Sequence, residues 1–294
     1  MSGILGRPLF AVAMALALAA CQTAGVPVAP TPVVSQAAPP PQVKAVAYTS
    51  TAPASADSYS EVVLDMATGA PLYAHDADKI RYPASLTKMM TLYLLFQEVG
   101  SGRYSLSTPL TVSARAASQP PAKLGLKAGS TITVEQAARA LAVKSANDVA
   151  VVIAENISGS EDAFAARMNA QARALGLTRT RFVNASGLPD PGHVSTARDM
   201  ARLGRALKTG FPQYAGFFRA KSFTYNGRTY PTTNNLLGKV PGVDGLKTGH
   251  TNEAGYNLVA TAHRGGERRL VVVMGSKTEG ARDKEVTRLL EASF

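Results

Sequence analysis

The stretch Pro83-Ala-Ser-Leu-Thr-Lys-Met-Met90 begins a segment that predicts a fully buried helix. Proline disfavours helical backbone in the residue before it, so the helix is expected to begin near Ser85 and to end at Glu98, before Gly100. A helix that is apolar on all sides belongs in a hydrophobic core. The apolar side chains cover nearly the whole circumference of this helix: Met89, Met90, Leu92, Leu94, Leu95 and Phe96.

Segments near both ends of the chain predict an antiparallel sheet. Ser60–Asp65 and Pro71–His75 are expected to form a hairpin, and residues 243–250, 256–263 and 268–275 a meander of three strands. Helices are predicted over residues 133–142, 145–156, 161–175, 196–208 and 281–292. This order predicts a sheet assembled from the N- and C-terminal segments, with the middle helices forming a second lobe.

Three short motifs could act together: Ser85-Leu-Thr-Lys88, Ser145-Ala-Asn147 and Lys247-Thr-Gly249. Each motif alone is weak, and a second Lys-Thr-Gly at residues 208–210 is interpreted as a helix end. Side chains three residues apart on a helix share one face, so Lys88 can reach Ser85. Lysine accepts a proton only when neutral, so its ordinary pKa of about 10.4 must fall through burial and a nearby positive charge. Lys247 could supply that charge.

The order and spacing of these motifs resemble those of the penicillin-recognising serine enzymes. The wider sequence resembles the low-molecular-mass D-alanyl-D-alanine carboxypeptidases over roughly residues 59–294. The matching segments are residues 83–90, 182–188, 195–200, 243–251 and 254–260. The resemblance implies a β-lactamase/transpeptidase-like α/β fold of the α+β kind, with helices flanking an antiparallel sheet and a mostly helical lobe.

The resemblance also implies catalytic roles. Ser85 would attack the carbonyl of the penultimate D-alanine, and Lys88 would accept its proton. Ser145 would help to relay a proton to the departing D-alanine. The backbone N–H groups of Ser85 and His250 would form the oxyanion hole, because an N–H at a helix N-terminus favours developing negative charge.

Further residues are implied to bind the substrate. Asn147 would position Lys88 and the substrate amide, while Lys247 would line the pocket and Thr248 would contact the terminal carboxylate. Gly249 would allow close approach of the substrate backbone. Arg282 resembles a carboxylate-binding arginine of the family, although it could also be a solvated charge at the start of a helix.

The N-terminal residues predict export. Residues 9–20 are apolar and uncharged, too short for a membrane span of about 20 residues but suited to a signal peptide over residues 1–20. Leu18-Ala-Ala-Cys21 resembles a lipobox, in which Cys21 is acylated; an ordinary secretory signal is the alternative. A Pro- and Ala-rich tether over residues 21–57 would then precede a catalytic domain over residues 58–294. Many relatives continue into a second domain and a membrane helix, so Cys21 is the expected anchor on the periplasmic side of the envelope.

The amino-acid composition limits which cofactors and partners are expected. Cys21 is the single cysteine and the four histidines are scattered, so disulfides, a metal site and other cofactors are not expected. The net charge of +11 could suit nucleic acid, but export argues against it and favours anionic envelope polymers. The expected partners are peptidoglycan stem peptides, with β-lactams as covalent inhibitors.

Three alternatives remain. A serine β-lactamase of class A needs a glutamate between the second and third motifs, where Glu155 and Glu161 lie close to Ser145 on predicted helices. Slow release of bound penicillin is therefore expected. A D,D-endopeptidase acting on cross-links would use the same machinery. A peptidoglycan-binding lipoprotein without activity is disfavoured, because every motif residue is present.

Overall fold

A computed structural model describes residues 59–294 of the protein. The predicted signal peptide, Cys21 and the tether lie outside these residues, and the boundary at residue 58 stays a prediction. The strands are β1 (Ser60–Asp65), β2 (Pro71–His75), β3 (Pro109–Thr111), β4 (Thr131–Thr133), β5 (Ser222–Tyr225), β6 (Arg228–Pro231), β7 (Val243–Thr251), β8 (Gly255–Arg264) and β9 (Glu267–Ser276). The α-helices are α1 (Lys88–Gly100), α2 (Ala114–Ala117), α3 (Val134–Arg139), α4 (Asn147–Ser158), α5 (Glu161–Ala174), α6 (Ala197–Gly210), α7 (Ala215–Arg219) and α8 (Glu279–Ser293).

The main sheet joins the two ends of the described chain. Its five strands are antiparallel to their neighbours and lie in the order β2-β1-β9-β8-β7. The N-terminal hairpin pairs with the C-terminal meander through β1 and β9, where Val62 lies opposite Val272. The prediction of a sheet built from both ends is therefore confirmed, and β7 forms one of its edges.

Alternating side chains on the sheet pack against two different layers. Successive residues of a strand point to opposite faces. Val62 and Val272 belong to the large core that includes the apolar residues of α1, α4 and α6. Val63 and Val271 belong to a smaller core on the other face, where they pack with Leu290 of α8. The sheet is thus covered by helices on both sides, as the predicted fold class requires.

The predicted buried helix is present as α1. Its apolar side chains from Met89 to Phe96 are almost completely buried, and Lys88 at its first position is fully buried with them. The helix begins later than predicted, because Ala84–Thr87 form a tighter 3-10 turn that contains Ser85. Ser85 therefore lies in a turn that leads into α1, three residues before the α-helix begins at Lys88.

The prediction that Ser145 begins a helix is wrong. α3 continues into a π-helical turn over Ala140–Lys144, and α4 starts only at Asn147. Between these two elements Ser145 has a left-handed backbone, with φ 63° and ψ 39°. Such backbone is uncommon for a residue other than glycine, and where it is strained it is often part of a functional site. The sequence predicted a break between the two helices at residues 143–144, and the structure places it at residues 145–146.

The segments between the main elements form two small sheets that the sequence did not predict. β3 pairs with β4, and β5 pairs with β6. Strands of three or four residues are too short to show an alternating pattern. Across residues 59–294, none of the helices has both the length and the apolar character that crossing a membrane would require.

Candidate active site

Lys88 and Ser85 form the centre of the site. The Nζ atom of Lys88 lies 2.8 Å from Ser85 Oγ, 2.8 Å from Asn147 Oδ1 and 2.6 Å from the carbonyl oxygen of Ser186. Burial strongly disfavours the charged amine, and the positive charge of Lys247 adds to this, so the pKa of Lys88 is well below its ordinary value. The carboxylate of Asp148 opposes the shift. Lys88 is thus surrounded by acceptors in a place that favours its neutral form.

Lys247 and Ser145 form a second pair. Lys247 Nζ donates to Ser145 Oγ at 2.9 Å and to the carbonyl oxygen of Thr248 at 2.9 Å. Burial lowers the pKa of Lys247 to about 7, and the nearby positive charge of Arg282 contributes. The three sequence motifs are therefore brought together around two buried lysines. The second Lys-Thr-Gly ends α6 as predicted, and its Lys208 is paired with Asp244 at 3.1 Å.

Gly249 lets the edge strand β7 approach the Ser85 turn. A Cβ atom at this position would lie 2.9 Å from the carbonyl oxygen of Pro83 and 3.1 Å from the backbone nitrogen of Ser85. Real Cβ atoms essentially never come closer than 3.0 Å to another heavy atom, so the first contact alone would force a side chain here to shift the backbone. Gly249 therefore lets β7 pack directly against the Ser85 turn, and its expected role in admitting the substrate backbone stays a prediction.

A cleft of about 300 Å³ opens above these pairs. Ser85 lies half-buried in it, and the two lysines lie beneath. The predicted site residues that line this cleft are Ser85, Ser145, Asn147, Thr248, Gly249, His250 and Arg282. The structure therefore places the predicted residues at a single site.

Arg282 and His250 differ in their surroundings. Arg282 is buried in α8, where its guanidinium donates to Asp283 Oδ1 at 2.6 Å and to Glu279 Oε1 at 3.4 Å. The alternative of a solvated charge is therefore wrong. The ring of His250 is exposed and stacks on Tyr256 with centroids 4.0 Å apart.

Asp148 supports the site and was missed from the sequence. This fully buried carboxylate accepts hydrogen bonds from the backbone N–H groups of Leu124, Gly125 and Leu126, at 2.9 to 3.2 Å. It holds a loop whose prolines also contact Asn147: the amide nitrogen of Asn147 donates to the carbonyls of residues 120 and 121. These contacts orient the oxygen of Asn147 toward Lys88. The available signal was an acidic residue in the first turn of a helix, which is common for other reasons.

His193 connects the loop over residues 183–193 to the Ser85 turn. Its Nδ1 accepts the N–H of Val183 at 3.1 Å, so Nε2 holds the proton and donates to Thr87 Oγ1 at 2.8 Å. Burial lowers its pKa to about 4, so the ring is neutral near pH 7. In the same loop, a Cβ on Gly187 would lie only 1.8 Å from the carbonyl oxygen of Ala84.

Asn257 and Thr233 complete the supports of the site. The side chain of Asn257 on β8 donates to the carbonyl oxygens of Tyr82 and Pro83 and accepts the N–H of Gly275. It fastens the Ser85 turn to the sheet. Thr233 shares a hydrogen bond of 2.7 Å with the hydroxyl of Thr248. Their partners are distant in sequence, so no local pattern indicated these contacts.

Of the two glutamates between the second and third motifs, Glu161 is engaged elsewhere. Glu161 Oε2 pairs with Arg115 at 2.6 Å, and its Oε1 accepts the N–H of Ala185 at 3.1 Å. Neither Glu155 nor Glu161 lines the cleft. Glu161 instead supports the backbone beside Ser186, whose carbonyl contacts Lys88.

In this fold, Ser85 and the buried Lys88 form a pair beside the edge strand β7. This arrangement defines the class of penicillin-recognising serine enzymes. The family model described as D-alanyl-D-alanine carboxypeptidase matches residues 47–278. The chain belongs to the D-alanyl-D-alanine carboxypeptidase family, which confirms the resemblance recognised in the sequence.

Individual relatives agree with this assignment. The Escherichia coli protein named D-alanyl-D-alanine carboxypeptidase DacA is 40% identical over 245 residues, covering 81% of this chain and 61% of the relative. The chain thus spans about three fifths of that relative. The structure of penicillin binding protein 5 from Haemophilus influenzae is similar with a TM-score of 0.77 and 38% identity, over 80% of this chain and 70% of that one. A penicillin-binding protein of Listeria monocytogenes in an ampicillin-bound form has a TM-score of 0.69 and 34% identity, over 79% and 95%.

Replacing Gly187 by alanine tests the close approach of the 183–193 loop to the Ser85 turn. Gly187→Ala is expected to lower the free energy of unfolding by more than Gly176→Ala. Both glycines have positive φ, +81° and +71°, but only Gly187 has backbone within reach of an added Cβ. The left-handed backbone alone costs a non-glycine residue about 1–2 kcal/mol. Equal losses for the two variants in urea unfolding would show that the contact does not matter.

Proposed function

We propose that the protein is a serine-type D-Ala-D-Ala carboxypeptidase that removes the terminal D-alanine from peptidoglycan stem pentapeptides. The observation that supports this most strongly is the 2.8 Å contact between Ser85 Oγ and the buried amine of Lys88. A serine hydroxyl is a weak nucleophile until a base accepts its proton, and a lysine with a lowered pKa can be that base.

The contacts of Lys88 fit a neutral amine. A neutral amine has two hydrogens and one lone pair. The hydrogens can be donated to Asn147 Oδ1 and to the carbonyl of Ser186, while the lone pair accepts the hydroxyl hydrogen of Ser85. Ser85 Oγ then attacks the carbonyl carbon of the penultimate D-alanine as its proton passes to Lys88. An ester to Ser85 forms, and the bond to the terminal D-alanine breaks.

The pair of Ser145 and Lys247 would protonate the amine of the departing D-alanine. Ser145 lies between the cleft and Lys247, so its hydroxyl can pass a proton to the departing amine while Lys247 replaces it. Water then hydrolyses the ester on Ser85 and releases the shortened peptide. The left-handed backbone of Ser145 positions this hydroxyl at the break between α3 and α4.

The positive end of the cleft suits the terminal carboxylate of the substrate. Lys247, Thr248 and Arg282 lie at this end. The hydroxyl of Thr248 can accept from Thr233 and donate to the carboxylate. Arg282 already has two carboxylate partners, so its role is to contribute positive potential and to hold down the pKa of Lys247.

The backbone of β7 would complete the site. We assign the oxyanion hole to the N–H groups of Ser85 and His250, because Gly249 brings β7 against the Ser85 turn. An edge strand also offers backbone groups that can pair with an extended peptide. β-Lactams would acylate the same serine, and the engagement of Glu161 with Arg115 and Ala185 supports slow release of the acyl group.

Loss of the nucleophile is the first test. Ser85→Ala should abolish covalent labelling by fluorescent penicillin and reduce D-alanine release from a pentapeptide at least about a thousandfold, as nucleophile removal does in other serine enzymes. Ser107→Ala, at an exposed turn outside the cleft, is the matched control and should behave as wild type. If the wild-type protein neither labels nor releases D-alanine, the protein is a binding module. Rapid turnover of a chromogenic cephalosporin would instead indicate a β-lactamase.

The two lysines predict the pH dependence of D-alanine release. The value of kcat/KM should rise with pH as Lys88 loses its proton, at a pH well below that of an ordinary lysine. It should fall above a pKa of about 7, as Lys247 becomes neutral and attracts the substrate carboxylate less. A peptide that ends in a carboxamide should show a smaller alkaline fall, because it loses only the proton that Lys247 passes to Ser145 and not an attraction to its carboxylate. A carboxylate peptide whose kcat/KM keeps rising at high pH would contradict the role of Lys247.

We also propose that the protein is exported to the periplasmic side of the envelope and acylated on Cys21. The support is the sequence pattern over residues 9–21. Cys21→Ser should prevent incorporation of radiolabelled palmitate in cells and move the protein from the membrane fraction to the soluble fraction, while penicillin labelling persists. A wild-type protein that incorporates no palmitate would leave the ordinary secretory signal as the explanation.

A further inference from the structure

The segment over residues 232–240 lies beside the edge strand β7. Two neighbouring residues of this segment hold that strand. Thr233 shares a hydrogen bond of 2.7 Å with the hydroxyl of Thr248, and the side chain of Asn234 donates to the carbonyl oxygen of Gly245 at 3.1 Å. The segment is therefore fixed to the strand that forms the carboxylate end of the catalytic cleft.

Asn235, the next residue, contacts a different element. Its amide nitrogen donates to Asp283 Oδ2 in α8 at 3.1 Å. The other oxygen of the same carboxylate, Oδ1, accepts from Arg282 Nε at 2.9 Å and from Arg282 Nη2 at 2.6 Å. An ionised carboxylate only accepts hydrogen bonds, so both partners must donate to it. One carboxylate thus joins the segment to the buried arginine of the cleft.

Arg282 depends on this carboxylate for its position. The side chain of Arg282 is only 2% exposed, and a buried charge is costly without hydrogen-bonded partners. Glu279 is the other carboxylate in contact, but this bond is long, at 3.4 Å, and the side chain of Glu279 is 51% exposed. Asp283 is more buried and accepts the two shorter bonds. Asp283 is therefore the group that holds the guanidinium at the wall of the cleft.

The position of Arg282 matters because its charge acts on Lys247. Burial lowers the pKa of Lys247 to about 7, and the positive charge of Arg282 contributes. A displacement of Arg282 would raise the pKa of Lys247, whereas loss of the negative charge beside Arg282 would lower it. The other ionisable groups around these two cations are Lys88, Lys144, His250, Glu279 and Asp283.

We propose that Asn235 is a positioning residue for the carboxypeptidase reaction, acting through Asp283 to hold Arg282 at the end of the cleft that receives the terminal carboxylate. Asn235 does not line the cleft itself, so its effect passes through the other two residues. The arrangement favours substrates that end in a free carboxylate over substrates whose terminal carboxyl group is blocked. This inference rests on the proposed function and deepens it.

Two peptides measure the effect on substrate choice. Both are Nα,Nε-diacetyl-L-Lys-D-Ala-D-Ala, one with a free C-terminal carboxylate and one with a C-terminal carboxamide, and the shortened peptide is quantified by chromatography. Asn235→Ala should lower the ratio of kcat/KM for the carboxylate peptide over the carboxamide peptide about two- to tenfold, the size expected of one hydrogen bond. The loss should lie mainly in a higher KM for the carboxylate peptide.

The pH profile separates positioning from a general loss of structure. With the carboxylate peptide, Asn235→Ala should move the alkaline fall of kcat/KM to higher pH, because Arg282 is no longer held beside Lys247. Asp283→Asn should move this fall to lower pH. Asparagine has the same shape and its oxygen can still accept from Arg282, but the charge that offsets the guanidinium is gone. A variant that only weakens the fold would not produce these opposite shifts.

Gln97→Ala is the matched control. Gln97 is also a half-buried amide, and it donates one side-chain hydrogen bond of 3.1 Å, to Gln171, outside the cleft. Its loss should leave the ratio and the pH profile as in the wild-type protein. Fluorescent penicillin measures the active fraction of each variant, so that kcat refers to active protein only.

Three results would overturn the positioning role. The first is an Asn235→Ala variant with an unchanged ratio and an unchanged alkaline fall. The second is a shift in the same direction for Asn235→Ala and Asp283→Asn, and the third is an equal change in the Gln97→Ala control. If the wild-type protein processes neither peptide and penicillin does not label it, the proposed function itself has failed, and this inference fails with it.

Discussion

The burial of one lysine amine against a serine hydroxyl is the constraint on which the rest of the site depends. A buried amine is costly unless its polar atoms find partners. Lys88 finds them in Ser85 of its own turn, in Asn147 and in the carbonyl of Ser186, which lie 59 and 98 residues further along the chain. The helical lobe and the 183–193 loop must therefore both meet the start of α1. The same burial that demands these partners lowers the pKa of the amine and makes it a base.

Polar residues around the site hold the start of α1, the helical lobe and the 183–193 loop in fixed positions relative to one another. Asp148 holds the loop that orients Asn147, His193 joins the 183–193 loop to Thr87, and Asn257 ties the turn to β8. Each is buried and fully engaged, so the cleft is surrounded by polar side chains with fixed orientations. Such support is what a proton transfer over 2.8 Å needs, since small displacements of the reacting atoms slow catalysis strongly. The strained backbone of Ser145 is maintained by the same packing.

Charge is arranged along the site in two zones. Lys247 and Arg282 make one end of the cleft positive, while Asp190 and Glu253 make a neighbouring cavity negative. The mutual repulsion of Lys88, Lys247 and Arg282 also has a chemical consequence, because it adds to burial in lowering the pKa values of the two lysines.

The sequence by itself determined the strands at both ends, the buried helix after Ser85 and the three motifs, because periodicity and short spacings are local properties. It also determined the family, since the motif order and their flanking residues extend over most of the chain. Only the tertiary structure decided how those motifs meet: that Ser145 has a left-handed backbone between two helices, that Gly249 faces the Ser85 turn, and that Asp148, His193 and Asn257 support the site. These contacts join residues far apart in the chain. Their geometry arises from packing the sheet against the helical lobe, and no local pattern records it.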